Sequence, residues 1–112
     1  MRPSRSEIWT VELNPTRGHE QAGVRPCLVI SVDLFNHGPA ELVVVLPITT
    51  KYKGIPFHVE IAPPEVSLTE KSYIKCEDVR SVSLERLKTR LGIISAEKMA
   101  LVEDRLRILL GL

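Results

Sequence analysis

Cysteine, aromatic side chains and net charge are all scarce in this chain, and each shortage excludes something. The two cysteines, Cys27 and Cys76, permit one disulfide at most, too few for a disulfide-stapled scaffold. No signal-peptide pattern opens the chain, so a reducing, cytoplasmic setting is expected, with both cysteines as thiols. Aromatics make up 4% of residues, which argues against a surface built on many stacked bases. The formal net charge is +1, so no global basic field demands a nucleic acid, and local charge must carry any such case. No apolar run is long enough to span a bilayer, so no membrane partner is expected. His19, His37 and His58 are scattered, with no i,i+4 pair beside a carboxylate, and no metal or other cofactor is expected. A phosphate-binding glycine loop and a nucleophile elbow are both missing.

What is present is a strand-rich pattern closed by one helix. The 44% hydrophobic content supports a core, and 112 residues fit one domain over 1–112, with Met1–Ser6 expected as a mobile tail. A domain this small gains from burial against a partner. Glu7–Leu13 alternates, with Trp9, Val11 and Leu13 on one face, as a half-buried strand does. Val24–Ser31 is nearly all apolar after Pro26 and is expected to be central. A turn is expected over Asp33–Pro39. A third strand is expected over Glu41–Ile48, where Pro47 implies an edge or a bulge. Phe57–Ile61 alternates with Phe57, Val59 and Ile61 inward, which turns His58 to solvent. Ala62–Ser72 is a loop stiffened by Pro63-Pro64, Ser72–Val82 holds one or two short strands, and Lys88–Ile94 holds another. Ser95 is a good N-cap for a helix over Ala96–Leu110 that Gly111 ends. Its core stripe is Met99, Val102, Leu106 and Leu109. Many short strands followed by one helix point to a small barrel.

Two loops are chemically loaded. The first, Gly18-His19-Glu20-Gln21-Ala22-Gly23-Val24-Arg25-Pro26, follows Arg17 and runs into the apolar Cys27-Leu28-Val29-Ile30. The second is Thr49-Thr50-Lys51-Tyr52-Lys53-Gly54. If the second and third strands pair antiparallel, Arg25 and Thr49 lie at the same end. Arg17, Arg25, Lys51 and Lys53 then line one groove against Glu20. Such a groove can hold a single-stranded phosphate backbone, with Tyr52 stacking on a base. On the residues alone, a solvated turn and ordinary loop lysines account for the same pattern.

The chain also resembles a family. Gly-x-Glu-x-x-Gly-x-Arg-Pro before an apolar strand is similar to the signature of the MazF/PemK toxins. Glu7-Ile8-Trp9 through Leu13-Asn14-Pro15, Leu46-Pro47-Ile48-Thr49-Thr50, Pro56-Phe57-His58-Val59 and Glu77-Asp78-Val79-Arg80-Ser81 with Arg86-Leu87 resemble further segments of that family, in order. The resemblance implies a mainly β fold, a small SH3-like or CcdB-like barrel with a C-terminal helix. It implies a toxin of a type II toxin–antitoxin system: a metal-independent endoribonuclease that cuts single-stranded messenger RNA by attack of the 2′-hydroxyl and so inhibits translation. It carries catalytic roles to Arg25 and Thr49, and more weakly to Glu20. RNA contacts are expected from Arg17, His19, Gln21, Thr50, Lys51, Tyr52, Lys53, Asp78 and Arg80. The family often has Gln where this chain has Asp78, which offers no amide donors and can alter the target sequence. A homodimer and a cognate antitoxin with an acidic, flexible segment are implied as partners. The same fold family includes toxins that inhibit DNA gyrase without cutting RNA, and a plain nucleic-acid-binding barrel is a third reading.

Overall fold

The computed structural model describes residues 2–13, 23–63 and 67–112. The strands are β1 (Glu7–Glu12), β2 (Val24–Val29), β3 (Leu42–Thr49), β4 (His58–Ile61), β5 (Ser72–Lys75), β6 (Arg80–Ser83) and β7 (Leu87–Ile93). A short helix α1 (Asp33–Asn36) precedes β3, and α2 (Ala96–Leu110) follows β7. The seven strands form one sheet in the order β4-β5-β3-β2-β1-β7, with β6 alongside β3, and every pairing is antiparallel. The mainly β fold with a C-terminal helix is as expected. The barrel is not closed: among the described residues β4 and β7 end the sheet without pairing to each other.

Period-2 alternation sorts the central strands into two cores, one on each face. Ile8, Leu28, Leu46 and Ile48 pack with Val59, Ile61 and Ile74, and α2 covers them with Met99 and Val102. Trp9, Val11, Cys27, Val29, Val43 and Val45 point the other way and meet Val82 and Leu87. That is why the second half of β2, Cys27–Val29, reads as a continuous apolar run: it is buried on both faces, whereas Val24 and Arg25 at the start of the strand are exposed. Pro47 sits in a central strand rather than at an edge. β3 pairs with β6 up to Val45 and with β5 from Ile48, so Pro47 falls where that ladder is interrupted and its missing N–H is tolerated.

The helix is bounded as its caps dictate. The Ser95 side chain accepts from the Lys98 amide at 3.2 Å. Gly111 takes φ 71°, and the Leu112 amide donates back to the Arg107 carbonyl at 3.0 Å. The expected core stripe holds for Met99 and Val102, is partial at Leu106, and fails at Leu109, which is exposed with Ile108, Leu110 and Leu112.

Two local expectations are corrected. Pro3–Ser6 are anchored rather than a loose tail. The Ser6 amide donates to the Val29 carbonyl at 2.9 Å, and its carbonyl accepts from the Ile94 amide at 3.0 Å. Arg5 donates to the Ile30 carbonyl and pairs with Glu103 at 2.8 Å, while its amide donates to Asp33. The Asp33–Pro39 turn contains the one-turn helix α1 because Asn36 is fully buried and satisfied there, donating to the Ser31 carbonyl at 2.8 Å and bonded to the Ser31 hydroxyl.

Candidate functional site

Strand pairing places Arg25 and Thr49 together. Cys27 lies opposite Pro47 in the β2–β3 pair, and continuing that register by two residues sets Arg25 across from Thr49 at one end of the sheet. Both line a cleft of about 190 Å³ with Thr50, Lys51, Glu70 and Ser72. Arg25 is exposed. Thr49 is 9% exposed, and its Oγ1 accepts from the Lys51 amide at 3.2 Å. A hydroxyl has one proton and two lone pairs, so that bond orients Oγ1 while its proton can still be donated into the cleft.

Glu20, Arg17, His19 and Gln21 lie outside the described residues, as does most of the first loop. Glu70 was not foreseen. It belongs to a polar stretch on the far side of the Ala62–Ser72 loop, and only the β3–β5 pairing, Thr49 opposite Tyr73, brings that stretch to the cleft. Nothing in the local sequence distinguishes Glu70 from a solvated loop carboxylate.

Tyr52 is 75% exposed and stands 5.6 Å from Tyr73, ring to ring, at a tilt of 57°. It lines a second hollow, and Lys53 beside it is exposed. Asp78 and Arg80 do not line the Arg25–Thr49 cleft. Arg80 makes a two-nitrogen contact with Asp78, at 2.8 and 3.3 Å. Lys75, itself buried, approaches the same carboxylate at 3.6 Å. These side chains are 10–16% exposed, which makes the cluster a shielded ionic lock between β5 and β6. A lysine is rarely this buried unless paired.

His58 does not face solvent. Its side chain is 5% exposed, its Nε2 is 2.8 Å from Glu77, and its Nδ1 is buried without a partner among the described residues. The loop through Gly54, Ile55 and Pro56 and the Glu77 turn cover that face of β4, which alternation within the strand cannot foretell.

Both thiols are buried and unpaired. Burial pushes Cys27 up to about 12, with Arg80 pulling weakly the other way, and burial pushes Cys76 up to about 12, with Glu77 adding to it.

Against this geometry, a family model of PemK-like, MazF-like toxins of type II toxin–antitoxin systems matches residues 4–110. The chain belongs to that toxin family. Among solved structures, MazF from Deinococcus radiodurans (form I) is 29% identical. It superposes with a TM-score of 0.87 over 100% of this chain and 99% of that one. A MazE–MazF structure from the same organism (form II) gives a TM-score of 0.81 at 29% identity, covering 100% and 98%. A mycobacterial endoribonuclease in complex with its cognate antitoxin shares the fold, with a TM-score of 0.81 at 24% identity over 98% and 96% of the two chains. No helix among the described residues of this PemK/MazF-like toxin is long and apolar enough to cross a membrane.

Proposed function

We propose that this toxin is a sequence-selective endoribonuclease of the cytoplasm that cuts single-stranded messenger RNA without a metal ion, by attack of the RNA's own 2′-hydroxyl. The observation that carries the reading is the meeting of Arg25 and Thr49 in one cleft at the paired ends of β2 and β3.

The chemistry needs a proton removed from the 2′-hydroxyl, charge stabilised on a phosphorane, and a proton returned to the departing 5′-oxygen. The 2′-oxygen bonds to phosphorus, the bond from phosphorus to the 5′-oxygen breaks, and a cyclic phosphate and a 5′-hydroxyl result. Arg25 suits the second task, because its planar fork donates to two phosphate oxygens at once. Thr49 adds a donor already oriented by the Lys51 amide. Preorganised donors of this kind are worth roughly 100-fold or more each. Arginine does not suit the first task, because a guanidinium stays protonated. A carboxylate does: Glu20 by family resemblance, Glu70 by its place in the cleft. Thr50 and Lys51 extend the cationic, donor-rich wall along which a backbone would run.

A homodimer and a cognate antitoxin are part of this proposal. The end of α2 leaves Ile108 63%, Leu110 55% and Leu112 85% exposed, apolar surface that a second copy would cover. The same surface is what favours the alternative, a non-enzymatic inhibitor of DNA gyrase acting through its terminal helix, but that reading leaves the Arg25–Thr49 cleft without a use. The deciding experiment incubates a long, unstructured RNA with protein in excess EDTA and maps ends by primer extension. Discrete cuts that vanish in Arg25→Ala are expected, with gyrase supercoiling unaffected. Equal cutting by Arg25→Ala would overturn the mechanism, and inhibited supercoiling without cutting would install the alternative.

A further inference from the structure

The hollow beside the cleft takes no part in the cleavage chemistry, and two tyrosines stand in its wall. It measures about 250 Å³ and is walled by Tyr52, Tyr73, Glu60, His58 and Gly54. Tyr73 pairs with Thr49 on one side and with Glu60 on the other, so the hollow begins one strand away from the Thr49 hydroxyl. Adjacent strands lie about 4.8 Å apart, which puts the hollow beside any phosphate held by Arg25 and Thr49.

Its aromatic wall is held open. Tyr52 keeps three-quarters of its surface exposed. The loop under it turns through Gly54 at φ +65°, and a Cβ there would lie 3.5–3.9 Å from the Tyr52 ring and hydroxyl. A Cβ there would make only ordinary contact with the ring, but a side chain would need the left-handed conformation, so glycine serves the bend that sets Tyr52 at the rim of the hollow. The free face of the ring is a stacking platform. Such stacking is tolerant of base identity.

The polar wall is not tolerant. Glu60 is more than half exposed, and Lys71 approaches it only to 3.8 Å, beyond hydrogen-bond length. An exposed pair of that kind is weak, so the carboxylate can turn to a ligand. An ionised carboxylate only accepts hydrogen bonds. It pairs with the exocyclic amine of cytosine or adenine, or with the N–H edge of guanine. Uracil sets two carbonyl oxygens around one N–H and would bring oxygen against oxygen. His58, tied by Nε2 to Glu77, forms the back of the hollow.

We propose that this hollow, with Tyr52 as platform and Glu60 as reader, is a nucleobase site next to the scissile phosphate that selects an amino-bearing base over uracil. The inference rests on the RNA-cleaving reading above. The test uses RNAs identical except for the base on either side of a mapped cut, with kcat and KM measured for wild type, Glu60→Gln, Tyr52→Ala and Tyr52→Phe. Both positions are exposed, and a thermal melt confirms that each variant is folded. Wild type is expected to cut amino-bearing RNAs about ten-fold or more better than the uracil version at one flanking position. Glu60→Gln, whose amide both donates and accepts, should erase that preference. Tyr52→Ala should raise KM roughly ten-fold for every base, and Tyr52→Phe should restore it. Arg25-dependent cutting with the same base preference in Glu60→Gln as in wild type would overturn the inference and leave the cleavage reading standing. Absence of Arg25-dependent cutting in every RNA would overturn both.

Discussion

Replacing Thr49 by valine separates what its hydroxyl does for the fold from what it does for the chemistry. Valine keeps the shape of threonine at a site that is 9% exposed, so packing is nearly unchanged. Among the described residues, the internal bond lost is the 3.2 Å acceptance from the Lys51 amide. Lys51 is exposed, so water can take over that N–H, and the cost stays at or below about 1 kcal/mol. For a domain of this size that is a fall in Tm of about 4 °C. The kinetic loss should be much larger. If Oγ1 donates to the phosphorane, removing it costs roughly 100-fold in kcat, about 2.7 kcal/mol of barrier. The bond is made most strongly in the transition state, so KM should hardly move. Thr49→Ser retains the donor and should stay within a few-fold of wild type. The assay is single-turnover cleavage of one short RNA, with melts run in parallel. A folded Thr49→Val protein that cuts within three-fold of wild type would refute the role, as would an equal loss in Thr49→Ser.

The shielded Lys75–Asp78–Arg80 cluster makes Asp78 mainly structural: Asp78→Ala should lower stability in urea by an amount approaching the roughly 3–5 kcal/mol of a broken buried pair, and an unchanged midpoint would contradict this. With both thiols raised to about 12 by burial, the folded protein should resist a thiol reagent at pH 8 and react at Cys27 and Cys76 only after unfolding. Rapid labelling of the native state would show that either site opens. Burial alone would raise Glu7, but hydrogen bonds from Arg90, Trp9 and the Ser4 amide outweigh it and hold its carboxyl below the ordinary 4.5. A depressed carboxyl stabilises the fold above its unfolded value and loses that contribution as pH falls through the folded one. Glu7→Gln should therefore be less stable at pH 7 and show a shallower loss below about pH 4.5 in acid titrations followed by circular dichroism.

How much was legible varied with how local the cause was. The helix could be bounded from Ser95 and Gly111 because caps act within one turn. The central place of Cys27–Val29 in β2 followed from their apolar run, and the Arg25–Thr49 meeting followed once antiparallel pairing of β2 and β3 was assumed. What failed depended on distant chain. His58 is buried by a loop and by Glu77, not by its own strand. Glu70 enters the cleft only through the pairing of β5 with β3. Pro47 looked like an edge marker because one strand does not reveal that its neighbour changes from β6 to β5 along its length. Pro3–Ser6 looked like a tail because Arg5 finds its carboxylate partner on α2, at Glu103.

In the proposed reaction the RNA's own 2′-hydroxyl attacks a phosphate held by Arg25 and Thr49. The most direct measurement places a single 2′-deoxy nucleotide on the 5′ side of a mapped cut in an otherwise unmodified RNA. Cleavage at that bond should disappear while binding stays within a few-fold of the unmodified RNA, and the unmodified product should end in a cyclic phosphate. Cutting that persists at the deoxy position would show that another nucleophile attacks, and would contradict the account.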